Sequence, residues 1–125
     1  MEKAAVAPTE RELEILKILW DIGPASVREV FDVMRRNEDL AQNTVQTFLR
    51  MMEDKGLVAH SVEGRSFIYR PLYSRQKTVS RFLNRVFDGA ADQLVMSIFQ
   101  AKKVSPEELH SIEQMILEHK RRQNV

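Results

Sequence analysis

Residues 42–72 read QNTVQTFLRMMEDKGLVAHSVEGRSFIYRPL, and two periodicities meet within them. In the first half, Val45, Phe48, Leu49 and Met52 fall on one side of a helix that advances about 100° per residue. This spacing predicts a helix over about Gln42 to Lys55, with Gly56 placed to end it. The second half changes to strand chemistry in two runs, Leu57–Ser61 and Ser66–Leu72, separated by Val62-Glu63-Gly64-Arg65. Phe67, Ile68 and Tyr69 favour a strand, and Gly64 suits a positive-φ turn position, so the pair reads as a β-hairpin.

Two further helices precede this segment. Thr9 and Glu12 form a capping box at the start of the first, whose apolar residues Leu13, Ile15, Leu16, Leu19 and Trp20 recur at helical spacing up to Gly23-Pro24. Ser26 and Glu29 repeat the capping box for a second helix reaching about Arg35, with Val27, Val30, Phe31 and Met34 on its apolar face. Three helices followed by a hairpin is the order of a winged helix-turn-helix. Trp20 is expected in the core, and Met51, Met52, Met96 and Met115 read as packing residues.

Everything after Ser74 reads as helical. One segment runs to about Phe87 and carries Val79, Phe82, Leu83 and Val86, and Asp88-Gly89 breaks it. A second runs from about Ala91 to Ala101, with Leu94, Val95, Ile98 and Phe99. Ser105-Pro106-Glu107-Glu108 starts a third with an N-cap, a proline and an acidic first turn, and Leu109, Ile112 and Ile116 follow. The fold class expected is therefore mainly α with a small β-hairpin wing. A winged-helix domain would span 1–73, and a helical dimerisation region 74–125. Folding back into one monomeric core is the competing arrangement, but these apolar faces exceed what one small domain can cover. An obligate dimer interface of about 2,000 Å² or more would cover them.

Composition bounds the chemistry. The 125 residues are 43% hydrophobic and 30% charged, with no cysteine, which excludes disulfides, thiolate metal sites and cysteine nucleophiles. The first eight residues have no apolar run suited to a signal peptide, and no stretch matches a membrane span, so a cytoplasmic protein without membrane insertion is expected. Net charge is +1, and residues 1–72 hold ten basic and twelve acidic side chains, or −2, against nine and six, or +3, in residues 73–125. Any case for nucleic acid must rest on where the charges fall.

They are distributed tellingly in the third helix. With Asn43 at 0°, Gln46, Thr47 and Arg50 lie within about 60° of it, flanked by Gln42 and Thr44. From Leu40 to Met52 there is one basic residue and no acidic one. Amides and arginine make paired hydrogen bonds to purine edges in the major groove, and threonine contacts phosphate or a thymine methyl. Asp54 lies on the same face one turn later, so base contacts should come from the first two turns. Arg65, at the hairpin tip, is a candidate for phosphate or the minor groove. The residues expected to meet DNA are thus Gln42, Asn43, Thr44, Gln46, Thr47, Arg50 and Arg65.

Other chemistries lack support. His60 is expected in the first wing strand, while His110 and His119 point to opposite sides of one helix. Glu107 and His110 are half of a di-metal motif without its second half. No nucleophile elbow, phosphate loop or dinucleotide fingerprint is present, so neither catalysis nor a cofactor is expected. A winged-helix module that docks another protein is the alternative function, and its binding would respond much less to salt. No convergent polar cluster marks a small-molecule site among the C-terminal helices.

Thr9–Trp20 (TERELEILKILW), Thr44–Val58 (TVQTFLRMMEDKGLV), Gly64–Ser74 (GRSFIYRPLYS), Phe82–Phe99 (FLNRVFDGAADQLVMSIF) and Val104–Ile116 together resemble the penicillinase and methicillin-resistance repressors, the BlaI/MecI group. The resemblance implies a homodimer held by its C-terminal helices, reading a dyad operator in double-stranded DNA and repressing transcription. It maps Thr44 and Thr47 onto the family's recognition-helix threonines and Arg65 onto its wing arginine. The sequence departs at Ala41 and Met51, where the family commonly has Ser and Arg, and at Asn43, where a basic residue is frequent. Related repressors are released when a regulatory protease cuts an Asn-Phe bond. The aligned pair here is Ser97-Ile98, which argues against that partner, and the cysteine clusters of copper-responsive relatives are missing.

Overall fold

The computed structural model describes residues 7–124. Helix α1, Glu10–Ile22, starts from the expected capping box: the Thr9 hydroxyl accepts from the Glu12 amide at 3.2 Å, and the Thr9 amide donates to Glu12 Oε1 at 2.9 Å. Gly23, at φ 83°, ends it in a conformation that L side chains rarely adopt. A two-residue strand, β1, Ala25–Ser26, leads directly into α2, Val27–Met34. Ser26 serves both elements. It is the last residue of the strand, and its hydroxyl caps α2 by accepting from the Glu29 amide at 3.1 Å.

Helix α3, Gln42–Asp54, is followed by Gly56 at φ 80°. Strands β2, Val58–Glu63, and β3, Ser66–Pro71, pair antiparallel from Val58↔Pro71 to Glu63↔Ser66. The ladder is longer than the sequence suggested, because Val62 and Glu63 belong to β2 and only Gly64-Arg65 remain as the loop. Gly64, at φ 62°, relieves the tight reversal. The sheet also has a third member: β1 pairs antiparallel with β3, placing Ala25 opposite Tyr69 and Ser26 opposite Ile68. The sheet order is therefore β1-β3-β2, and the fold is a winged helix mounted on a three-stranded sheet.

The core gathers Ile15, Leu16 and Leu19 of α1, Val30 and Met34 of α2, Val45, Leu49 and Met52 of α3, and Leu57, Val58 and Tyr69 at the base of the wing. Trp20 sits at the margin of this core, half-buried, instead of inside it. Its indole Nε1–H donates to the Tyr73 carbonyl at 2.9 Å, and Arg75 lies over its ring at 5.3 Å. An indole needs a partner for its N–H, and the margin offers one.

One charged side chain lies inside. Glu12 is 1% exposed, and its Oε2 accepts from Lys55 Nζ at 2.7 Å. Burial works to raise its pKa, but the hydrogen bonds from Lys55 and the Thr9 amide, with the Lys55 charge, outweigh burial and hold it below the ordinary 4.5.

The chain divides into two compact units between Val79 and Ser80. Helix α4, Arg75–Phe87, crosses that division, and the second unit continues with α5, Ala91–Ala101, and α6, Pro106–Gln123. Asp88 at φ 50° and Gly89 at φ 83° break α4 from α5. Ser105 caps α6 by accepting from the Glu108 amide at 3.1 Å.

Replacing Glu12 by Ala removes the cap's second half and leaves Lys55 without its carboxylate, so it should lower unfolding free energy by about 2–3 kcal/mol. A carboxyl held below its unfolded pKa stabilises the fold fully above that pKa and loses the effect as pH falls through the folded value. Urea melts of the wild type should therefore weaken as pH drops below about 4.5, more steeply than those of Glu12→Gln. Parallel slopes in the two proteins would remove Glu12 from the acid sensitivity.

Candidate nucleic-acid interface

Helix α3 is amphipathic in the sense expected. Val45, Leu49 and Met52 are buried and Phe48 is half-buried, while Gln42, Asn43, Thr44, Thr47 and Arg50 are exposed and Gln46 is half-buried. These six polar residues share one solvent-facing surface, joined at its C-terminal end by exposed Asp54. The Thr47 hydroxyl donates to the Asn43 carbonyl at 3.0 Å. Its hydrogen is thereby occupied within the helix, leaving an acceptor oxygen and a methyl group outward. That combination can accept from a base amino group or pack against a thymine methyl.

The electrostatics of the face differ from those of its surroundings. Arg11 pairs with Glu38 at 2.7 Å, Arg28 and Arg35 each reach Asp32 at 3.2 Å, and Lys55 is committed to Glu12. Arg50 and Arg65 are exposed and take part in none of the ion pairs found among the described residues. Arg50 is electrostatically close to the wing: burial first, then the Glu53 charge, raises the pKa of Tyr69, and Arg50 opposes them. Arg65 occupies the wing loop, apart from α3 but on the same compact unit.

The start of α3 is also unlike the starts of α1, α2 and α6. Its N-cap is Ala41, with φ −92° and ψ 151° and no side-chain cap, and its first turn holds no acidic residue. The leading amides therefore keep their partial positive charge unopposed by a carboxylate.

The sequence did not reveal how the wing is tied to α3. His60, on β2 as expected, approaches Glu53 with its Nδ1 2.7 Å from Oε1 and 2.8 Å from Oε2. The contact joins two elements whose separate periodicities say nothing about it.

The remaining candidates lie on the helical region. Val79, Phe82 and Val86 on α4, Val95, Ile98 and Phe99 on α5, and Leu109 and Ile116 on α6 are exposed, and Leu83, Leu94 and Ile112 are half-buried. Val79 is the last residue of the first unit. None of the three helices has a buried residue. Of the methionines expected to pack, Met52 does so, whereas Met51, Met96 and Met115 are 47%, 54% and 66% exposed. Ser97-Ile98 lies within the regular helix of α5. Among the described residues no group of three or more His, Asp or Glu could hold a metal ion. No described helix is long and apolar enough to cross a membrane.

Against known families, residues 8–118 match the model described as penicillinase repressor. The chain belongs to the penicillinase repressor family. It is 29% identical over 118 residues to the penicillinase repressor of Bacillus licheniformis, covering 91% of this chain and 92% of that protein. It is 21% identical over 120 residues to the methicillin resistance regulatory protein MecI of Staphylococcus aureus, covering 93% and 98% respectively. Among solved structures it is similar to the monomeric form of Bacillus licheniformis BlaI in complex with the blaP half-operator. The TM-score is 0.51 at 28% identity, over 62% of this chain and 93% of that one.

Ala41 has the extended backbone of an N-cap and lacks only the acceptor side chain. Ala41→Ser should therefore stabilise the fold by about 1 kcal/mol, read as a higher urea midpoint at unchanged m. An unaltered midpoint would show that the α3 amides already have partners.

Proposed function

We infer that the chain is a sequence-specific DNA-binding transcriptional repressor that acts as a homodimer on a dyad operator. The observation that carries this reading is the α3 surface, where amides, threonines and an arginine outside the ion pairs of the described residues face solvent on one side of a helix whose other side is locked into the core. Asn43 and Gln46 have the paired donor and acceptor that adenine's groove edge requires, and Arg50 has the fork suited to guanine. Gln42 and Thr44, on the flanks, suit backbone contacts that set register. Arg65 extends from the wing to phosphate or the minor groove. The BlaI structure with its half-operator supports this use of the fold.

In this reading the DNA-binding domain is residues 1–73, and residues 74–125 form the dimerisation region. Support for the second part comes from α4, α5 and α6, where Val79, Phe82, Val86, Val95, Ile98, Phe99, Leu109 and Ile116 are exposed. Pairing two copies would cover them and set two recognition helices at the fixed spacing of a dyad site. The protein would work in the cytoplasm, without catalytic activity. Ser97-Ile98 is a poor position for release by proteolysis, because a peptide bond inside a regular helix must unwind before a protease can bind it as an extended strand.

Thr47→Ala and Gln46→Ala should each weaken binding to a duplex from the chain's own upstream region by roughly 1–3 kcal/mol, with little effect on random DNA. Arg65→Ala should weaken binding on both and reduce the salt slope by about one. Wild-type affinity in all three variants would remove this surface from DNA binding, and salt-insensitive binding would favour protein docking. Phe82→Glu combined with Ile116→Glu places charges on the uncovered faces and should convert a sedimenting dimer to monomer. A dimer that survives both charges must use another surface.

A further inference from the structure

The wing reaches the recognition helix through one side-chain arrangement that the reading above leaves without a task. His60 stands on β2, and Glu53 in the last turn of α3. A carboxylate only accepts, so His60 Nδ1 carries the hydrogen and shares it between Oε1 at 2.7 Å and Oε2 at 2.8 Å. The imidazole also lies flat on the Phe67 ring, with centroids 4.2 Å and planes 14° apart, and tilts against buried Tyr69 at 5.7 Å. Phe67 and Tyr69 both belong to β3. One ring is thus held by the helix through its edge and by the far strand of the wing through its face. The two side chains are 30% and 33% exposed, so the contact is partly withdrawn from solvent and screened less than a surface pair.

Its location relative to the reading face matters. About 100° per residue places Glu53 roughly 80° from Asn43, on the same flank as Gln46. A carboxylate on that flank works against DNA phosphates, so charge alone gives no reason for it. His60 lies opposite Tyr69, at the level of the β1 pairing, whereas Phe67, on which its ring rests, lies on the two-stranded ribbon beyond it. A ribbon of that kind holds its direction poorly without an added contact. A phosphate contact at its tip adds most affinity when the tip is already aimed.

We propose, on the basis of the DNA-binding reading above, that His60 is a positioning residue which, gripped by Glu53 and stacked on Phe67, fixes the wing against the recognition helix so that Arg65 and the α3 face engage one duplex together. Glu53 is then the anchor of the wing, and its negative charge is engaged by the imidazole N–H instead of facing the phosphates. The contribution of Arg65 depends on a hydrogen bond to which Arg65 does not belong.

The test uses the full chain and a duplex that the wild type enriches from a random pool. Dissociation constants are measured for Glu53→Ala, Glu53→Gln, Arg65→Ala and the double variant Glu53→Ala/Arg65→Ala. Glu53→Ala should bind about five- to tenfold more weakly although it removes a negative charge, and the Arg65→Ala loss should largely vanish in its background. Glu53→Gln, whose amide oxygen still accepts from Nδ1–H, should stay within about twofold of wild type. His60→Ala, which removes the other half of the contact, must show the same coupling to Arg65. Tighter binding by Glu53→Ala, equal losses in Gln and Ala, or an Arg65 effect of the same size in both backgrounds would each overturn the positioning role while leaving the DNA-binding reading intact. Enrichment of no duplex at all would sink both.

Discussion

Glu12 is almost sealed from solvent, yet it bonds outward in two directions: to the Thr9 amide at the head of α1, and to Lys55 just beyond the end of α3, 43 residues later in the chain. Apolar packing of Val45, Leu49 and Met52 brings α3 to the core, but packing of that kind tolerates small rotations and slides. A sealed carboxylate paired to a part-exposed lysine tolerates them less, because a misplaced partner leaves the buried charge uncompensated. As a source of net stability such a pair is modest. As a means of specifying one orientation among several it is effective, and the orientation it specifies decides which side chains of α3 face outward. A rotation of one residue step, about 100°, would turn Leu49 toward solvent and Thr44 toward the core.

Pairing also changes how the charge balance of the sequence is to be read. A half of the chain with two more acids than bases looks poorly suited to a polyanion. In the folded unit, however, many of those acids are already engaged: Glu12 with Lys55, Glu38 with Arg11, Asp32 with Arg28 and Arg35, Glu53 with His60, and Glu29 with the backbone of Ser26. On the surface proposed for DNA, Arg50, Arg65 and the leading amides of α3 supply the positive charge, and the exposed Asp54 and Glu63 oppose it. A sum over side chains cannot see this, because it weights a carboxylate inside a hydrogen-bonded pair the same as one in open solvent.

What could be read from the sequence was what local rules determine. The capping boxes at Thr9 and Ser26 involve residues three apart, and both formed. The 100° rule sorted Val45 and Leu49 from Asn43 and Thr47, because a helix carries its own geometry. The helix break at Asp88-Gly89 came from residues that favour positive φ. Features that depend on distant pairing stayed hidden. Strand β1 is two residues long, too short for any periodicity, and exists only because β3 is there to receive it. The Glu12–Lys55 and Glu53–His60 contacts join segments whose relation is tertiary. Trp20 was expected in the core from its place on an apolar helix face, whereas it lies at the margin, where its N–H donates to the Tyr73 carbonyl.

The position of β3 in the middle of the sheet has a further consequence for how such a protein can diversify. The wing is secured at its root, where β3 has neighbours on both sides, and its loop of Gly64-Arg65 touches nothing that the core requires. Residues could be inserted or removed there at the small entropic cost of a longer surface loop, with α1, α2 and α3 left undisturbed. The length of the wing and the composition of the α3 face are therefore carried by separate parts of the chain. Lineages of this fold can lengthen, shorten or recharge the one without having to reinvent the other.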